Sequence, residues 1–299
     1  IEDVYRDLTE NHPLLSNFSV QYVGYMTKWI INKHPHTAAV WGKVNDKVTK
    51  EIESALDSID VIQAKLSCFA FIEKDMLEMG PQFLDSYIRT VLTEALACGL
   101  EAGIIHGTGK DQPIGLDRDI HQGVSVSSTD GYPQKQAVKV KSFAPAEYGA
   151  AVAKMAKTEG GVSRSFDKVL LICNLTDYLT KVMPATTVLT ATGGYVHDLF
   201  PFPTEVEVSA EVPDGKAILC LPENYKLLAG GKKNAVIEFS DDFKFLDDVR
   251  YFKIKQHMTG RAVDNTCAWL LDISELDPAY VTVLMKDTTA AAASTEITA

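Results

Sequence analysis

The chain has 299 residues, 46% hydrophobic and 23% charged, with a net charge of −11. It is long enough for one large domain or two ordinary ones, and its acidity argues against a surface that grips nucleic acid by positive charge. Its apolar runs fall short of the roughly 20 residues of a membrane span, since the best candidate, Val91 to Ile105, holds Glu94 and Glu101.

Residues 1–17 are polar, with an early proline at Pro13, and Phe18, Val20 and Tyr22 then alternate with polar neighbours as in a short strand. The chain begins at Ile1 without a leader pattern. Strand-like ends at 38–42 and 59–64 flank a charged middle with Lys43, Asp46, Lys47, Lys50, Glu51, Glu53 and Asp57. Two readings stand there. One is a projecting hairpin, which needs a partner surface because isolated hairpins are marginal in water. The other is an amphipathic helix over 46–56, with Val48, Ile52, Ala55 and Leu56 on one side. Leu66 to Phe71 reads as a buried strand.

Gly80-Pro81 then opens the longest element, because proline is tolerated in a first helical turn. Leu84, Ile88, Val91, Leu92, Ala95, Ala102 and Ile105 predict a helix over 82–105. It is about 36 Å long, twice the usual globular helix. Ala95, Gly99 and Gly103 give it a small-residue side where another backbone can approach. The helix stops in His106-Gly107-Thr108-Gly109, and Pro113-Ile114-Gly115 makes a second turn. This is no nucleotide-binding loop. Ile104 stands where the first glycine of G-x-x-x-x-G-K-[ST] belongs, and Asp111 replaces the Ser/Thr.

A second unit begins near Ser142. Pro145 opens a helix with Tyr148, Ala151, Val152 and Met155 on one side. Val169 to Cys173 is a continuous apolar run, as in a strand covered on both faces. Asn174 caps a helix that stops at Pro184. Strands follow at 205–208 and 217–221 around a Pro213-Asp214-Gly215 turn. The last part is β-rich: 235–239, then 250–258 and 262–271 as a hairpin about Thr259-Gly260-Arg261. Thr288 to Ala299 is rich in Ala, Thr and Ser, a composition of poorly ordered termini.

Nothing in this order demands catalysis. There is no G-x-S-x-G and no H-E-x-x-H, and the acidic residues fall singly or in pairs such as Asp241-Asp242. Cys68, Cys98, Cys173, Cys220 and Cys267 are scattered in apolar contexts without a C-x-x-C, as free thiols are. The histidines do not cluster with them, and His34-Pro35-His36 reads as a solvated loop. No metal, cofactor or catalytic residue is expected.

The long helix followed by Gly107, Gly109, Pro113, Gly115 and Leu116, a G-x-G-x-x-x-P-x-G-L segment, resembles the spine helix and following loop of tailed-phage major capsid proteins. These share the Hong Kong 97 (HK97) fold. The order of elements from Phe18 to Leu276 follows the same plan. The resemblance implies an α+β fold with an N-arm (1–36) reaching to neighbouring subunits and an extended E-loop hairpin (37–65). A P-domain first part (66–141) would carry the spine helix, and an A-domain (142–234) a central mixed sheet. P-domain return strands (235–271) and a C-terminal segment (272–299) would complete it.

Its implied function is a shell that self-assembles from hexamers and pentamers around double-stranded DNA, without sequence-specific binding. Portal and scaffold or protease would be partners during assembly, and since many members of the family lose an N-terminal segment by proteolysis, the resemblance allows such processing here. The protein would be made into virions in the host cytoplasm, with no membrane contact. Gly107, Gly109, Lys110, Pro113 and Gly115 would shape an intersubunit loop, so valine at Gly107 and Gly109 is expected to hinder assembly more than folding. Trp41, Lys43, Lys47 and Lys50 would be E-loop contacts. No asparagine and glutamate can be matched to these lysines for covalent cross-linking. The alternatives are an encapsulin-type nanocompartment shell of the same fold and, in another class, a soluble two-domain enzyme.

Overall fold

The computed structural model describes residues 12–23, 28–32, 56–60, 64–75, 81–190, 193–230, 236–242 and 247–279. Trp41, Lys43, Lys47 and Lys50, and the strand expected at 38–42, lie outside them. Among the described residues no helix is long and apolar enough to cross a membrane.

The described N-terminal segment is not a free arm. Pro13 starts a one-turn helix, α1 (Pro13–Ser16), and β1 (Val20–Val23) follows. Leu14, Leu15 and Phe18 are buried in the main core. At roughly 1.5–3 kcal/mol per large apolar side chain, that burial holds the segment on its own subunit. β2 (Lys28–Asn32) pairs antiparallel with β3 (Leu56–Asp60). The ladder's first strand therefore lies ahead of the boundary expected at residue 37, and its return strand begins before the expected 59–64 and overlaps it at Ile59 and Asp60.

β4 (Ala64–Glu73) alternates strictly between half-buried and exposed residues. It is not the fully buried strand its composition suggests. Leu66, Cys68, Ala70 and Ile72 pack on the core, while Phe69 and Phe71 stand 69% and 61% exposed. The strand has a helix on one face only, so alternate residues must face outward.

That helix is α2 (Pro81–His106), 26 residues long. Ile88, Leu92, Leu96, Ala97, Leu100, Ile104 and Ile105 are buried. Val91 and Ala95, expected in the stripe, are exposed, and the Leu84 side chain lies outside the described residues. The buried face is thus rotated towards the i, i+4 series from Ile88. The small-residue side admits side chains rather than a backbone. A Cβ at Gly99 would stand 3.0 Å from Leu66 Cδ1, and one at Gly103 3.2 Å from Pro113 Cδ.

After β5 (Val138–Lys139), α3 (Pro145–Ala153) buries Tyr148, Ala151 and Val152. β6 (Val169–Cys173) is buried throughout. The Asn174 side chain accepts from the Asp177 N–H, a cap worth about 1 kcal/mol. It opens α4 (Leu175–Asp177), which passes through a π-turn (Tyr178–Val182) into α5 (Met183–Thr186). Pro184 was expected to end the helix and instead lies within it. The wider π-turn upstream eases the contact between a proline ring and the preceding turn's carbonyls, and Pro184 occupies the first turn of the resumed helix.

β7 (Val188–Leu189) and β8 (Tyr195–Val196) form a small ladder. β9 (Thr204–Val208) and β10 (Lys216–Cys220) flank β6, parallel and antiparallel respectively. β11 (Tyr225–Gly230), β12 (Val236–Ser240), β13 (Val249–Ala262) and β14 (Ala268–Asp272) complete the fold.

Two five-stranded mixed sheets result. In the first, β13 is the axis. β4 pairs along one edge, while β11 and β12 share the other, and β1 adds parallel to β11. The second runs β5-β14-β10-β6-β9. The expected turn at Thr259-Gly260-Arg261 does not exist. β13 runs through it, and β14 joins the second sheet against β10 instead of forming a hairpin with β13. Gly260 marks a close approach within a strand, since a Cβ there would stand 2.5 Å from the Tyr225 hydroxyl.

The second sheet is covered on both faces. Leu170, Ile172, Ile218 and Leu270 face the core shared with α2 and the first sheet. Val169, Leu171, Ala217 and Leu219 face the core under α3. Burial on both faces is why these strands read as continuous apolar runs.

Candidate functional site

The glycine-rich loop turns the chain back onto the end of α2. The Gly107 N–H still donates to Gly103 O at 3.1 Å, as the last helical turn requires. The returning strand then takes up the carbonyls that a helix end leaves unpaired. Leu116 N–H donates to Ile104 O at 2.8 Å, and Asp117 N–H to Ile105 O at 3.3 Å. Arg118 donates to His106 O through Nε at 3.1 Å and Nη2 at 2.8 Å.

Within the loop Gly109 N–H donates to Pro113 O at 3.1 Å, and Gly115 N–H to Gly107 O at 2.7 Å. Neighbouring elements close on it. Ile114 N–H donates to Gly260 O of β13 at 2.8 Å, and Tyr132 N–H to Thr108 O at 2.9 Å. The Tyr225 hydroxyl donates to Ile114 O at 3.1 Å.

The backbone approach leaves no room for a side chain at Gly107, where a Cβ would overlap Pro113 O and Gly103 O. At Gly115 it would stand 2.6 Å from Ile105 O. Gly109 adopts φ +80°, and a Cβ there would stand 2.8 Å from the Tyr132 ring. Gly107, Gly109, Pro113 and Gly115 are therefore brought together, and their surroundings belong to the same chain. Only the tip is exposed: Lys110, Asp111 and Gln112. This revises the expectation that valine at Gly107 acts on assembly ahead of folding, because the collisions lie inside the subunit. Gly131 and Gly260 serve the same junction, and Gly260 was read as part of a turn.

Charge at the helix end is organised around Asp117, which is buried. His106 Nδ1 lies 3.4 Å from Asp117 Oδ2 and Arg118 Nε 3.2 Å from Oδ1. Gln134 Nε2 donates to the same carboxylate at 2.9 Å, and His106 Nε2 contacts Glu211 O. The Asp117 contact raises the His106 imidazole above its ordinary 6.5, outweighing burial.

Two further surface features stand out. Phe69 and Phe71 of β4 meet Tyr251 of β13 with ring centroids 6.4 and 5.8 Å apart. This makes an aromatic strip on the sheet face away from α2. Beside it Lys253 and Lys255 each lie 2.8 Å from Glu238. The alternation Phe69-Ala70-Phe71 within Lys65 to Glu73 was the signal for the strip. The second feature lies where α1 meets α2. His12 Nδ1 is 2.9 Å from Glu101 Oε1 and His12 Nε2 3.2 Å from Glu94 Oε2. The donor atoms of His12, Glu94 and Cys98 lie within 4.8 Å of one another. Histidine and cysteine distant in sequence are thus neighbours in space, contrary to the reading of scattered residues.

The family model described as "Phage capsid family" matches residues 3–160. The chain belongs to this phage capsid family. No curated protein matches it. Among solved structures, the capsid of an empty GTA particle is 14% identical at a TM-score of 0.60, over 87% of this chain and 89% of that one. The satellite phage P4 procapsid with its size determination (Sid) protein is 11% identical at 0.59, over 92% and 99%. Gordonia phage Cozz is 13% identical at 0.53, over 88% and 86%. At these identities the agreement is one of fold, and it is the HK97-like α+β capsid fold. Family and fold point to a structural protein of the virion.

Two outcomes follow for this capsid-family chain. Gly107→Val should cost more than about 4 kcal/mol and leave little soluble subunit, because backbone atoms cannot move aside cheaply. Lys110→Ala at the exposed tip should fold within about 0.5 kcal/mol of wild type. Thermal unfolding and soluble yield measure both. The raised His106 value contributes stability that is full below pH 6.5 and is lost as pH rises through the folded-state value. Denaturant titrations from about pH 6 to 9 should therefore show a decline with pH that His106→Gln flattens; equal slopes for the two proteins would count against the Asp117 contact.

Proposed function

We propose that this chain is the major capsid protein of a tailed phage. It self-assembles through hexamers and pentamers into an icosahedral shell that encloses double-stranded DNA. The observation that carries the reading is the family match over residues 3–160, joined to a fold shared along 92% of the chain with a procapsid structure. The first sheet with α2 is read as the P-domain and the second sheet with α3 as the A-domain. The β2–β3 ladder is read as the base of the E-loop. Portal and scaffold or protease are proposed partners in assembly, and the host cytoplasm its place.

The geometry supports shell building in two ways. Phe69 and Phe71, exposed beside Tyr251, leave apolar area that a folded monomer gains nothing by exposing, and a second copy of this chain is the proposed cover. The loop presents Lys110, Asp111 and Gln112 from a helix end tied to β11 and β13 of the first sheet, as an intersubunit contact needs. Many such contacts repeated over a closed shell give stability that no single one supplies. An acidic chain suits a wall that surrounds DNA without gripping it.

Sedimentation velocity tests the reading on the expressed full-length chain, with the proposed scaffold co-expressed where the chain alone stays soluble. Wild type should form large assemblies. Phe69→Ser/Phe71→Ser should keep a wild-type circular dichroism spectrum and shift the population to small species. A wild type that stays monomeric or dimeric under all assembly conditions would contradict the proposal. A double variant that assembles as wild type would remove the aromatic strip from it.

A further inference from the structure

The junction between α1 and α2 holds a histidine, carboxylate and thiol donor set apart from the glycine-rich loop. Glu94 and Cys98 are four residues apart on α2 and so project from the same side of the helix. His12 reaches them from the N-terminal segment, which Leu14 and Leu15 anchor in the core. Its Nδ1 lies 2.9 Å from Glu101 Oε1. Glu101 is itself buried and accepts from Ser209 Oγ at 3.3 Å. The Glu101 carboxylate therefore takes the Nδ1–H and fixes the tautomer, leaving the Nε2 lone pair turned towards Glu94 and Cys98. That Nε2 is buried and, although 3.2 Å from Glu94 Oε2, makes no well-directed hydrogen bond.

A carboxylate holding the far nitrogen of a histidine whose near nitrogen faces further donors is the usual support of a metal-bound imidazole. An ion pair of protonated His12 with Glu94 and Glu101 would explain the two carboxylates. It leaves unexplained the third donor, the Cys98 sulfur, within 4.8 Å of the other two.

We propose that His12 Nε2, Glu94 and Cys98 Sγ bind a divalent transition metal of the zinc class, with Glu101 as the positioning residue. Imidazole, thiolate and carboxylate together suit Zn²⁺ or Co²⁺, whereas Mg²⁺ and Ca²⁺ prefer oxygen donors alone. Bonds of about 2.0–2.3 Å require the donors to draw together. Glu94 and Cys98 are exposed and can rotate to do so. Three protein ligands leave a fourth position for water. Binding expels the thiol proton to solvent. The bound metal ties the segment that precedes β1 to the middle of the spine helix. The inference does not depend on shell assembly.

Cobalt titration of the metal-free, full-length chain under reducing conditions is the test. Wild type should bind one Co²⁺ per chain with a thiolate-to-cobalt charge-transfer band in the near ultraviolet, and Zn²⁺ should displace it. Cys98→Ser, at an exposed position, should keep the wild-type circular dichroism spectrum and lose the band. Glu101→Gln should keep the band at an affinity about 10–100-fold weaker. Zn²⁺ should raise the unfolding midpoint of wild type and leave that of Cys98→Ser unmoved. A wild type with no saturable band, a band that survives in Cys98→Ser, or an equal midpoint shift in both proteins would overturn the proposal.

Discussion

The fold depends on how the end of its long helix is closed. A helix leaves its last carbonyls without partners, and burying that end among sheets makes water unavailable to them. Here the chain reverses through glycines and lays residues 114–118 back along the helix end. Leu116, Asp117 and Arg118 supply the missing donors to Ile104, Ile105 and His106. The reversal needs backbone atoms where side chains would otherwise be, so Gly107 and Gly115 have no tolerable substitute there. The same turn presents Ile114 to β13 and Tyr225, joining the helix end to the axis of the first sheet.

From that junction follows the division of labour in the subunit. The first sheet covers α2 on one side and leaves its other side with the Phe69–Phe71–Tyr251 strip. The second sheet buries one face under α3 and the other in the core shared with α2 and the first sheet. One sheet is thus covered on both faces and the other leaves Phe69 and Phe71 exposed, which is a reasonable arrangement for a subunit that adheres to its neighbours. Subunit contacts can be individually weak because a closed shell repeats them.

Much of this was legible in the sequence where local chemistry decides structure. Pro81, the apolar period and the Gly107–Gly115 punctuation place α2 to within a residue at each end. Asn174 is the cap its position suggests, and Val169 to Cys173 is the central strand that an unbroken apolar run implies. The misreadings share a cause, which is that partners far along the chain override local signals. Gly260 looks like a turn, but it is a strand residue flattened against Tyr225. Pro184 looks like a stop until the π-turn before it is seen. Phe69 and Phe71 look buried because they sit in an apolar run, although the alternation puts them on the same face as Lys65, Ser67 and Glu73. His12 and Cys98 become neighbours only when Leu14 and Leu15 find the core. Of the candidate loop, the glycines were legible as residues; that their constraint lies inside the subunit, with only Lys110 to Gln112 turned outward, follows from the packing.

Electron microscopy of the purified full-length chain, taken through assembly conditions, tests the central claim most directly. The account predicts closed particles built of six-fold and five-fold rings, with the long helix and both sheets of every subunit in the wall. Homogeneous small oligomers, with no rings or shells even beside co-expressed assembly partners, would contradict it.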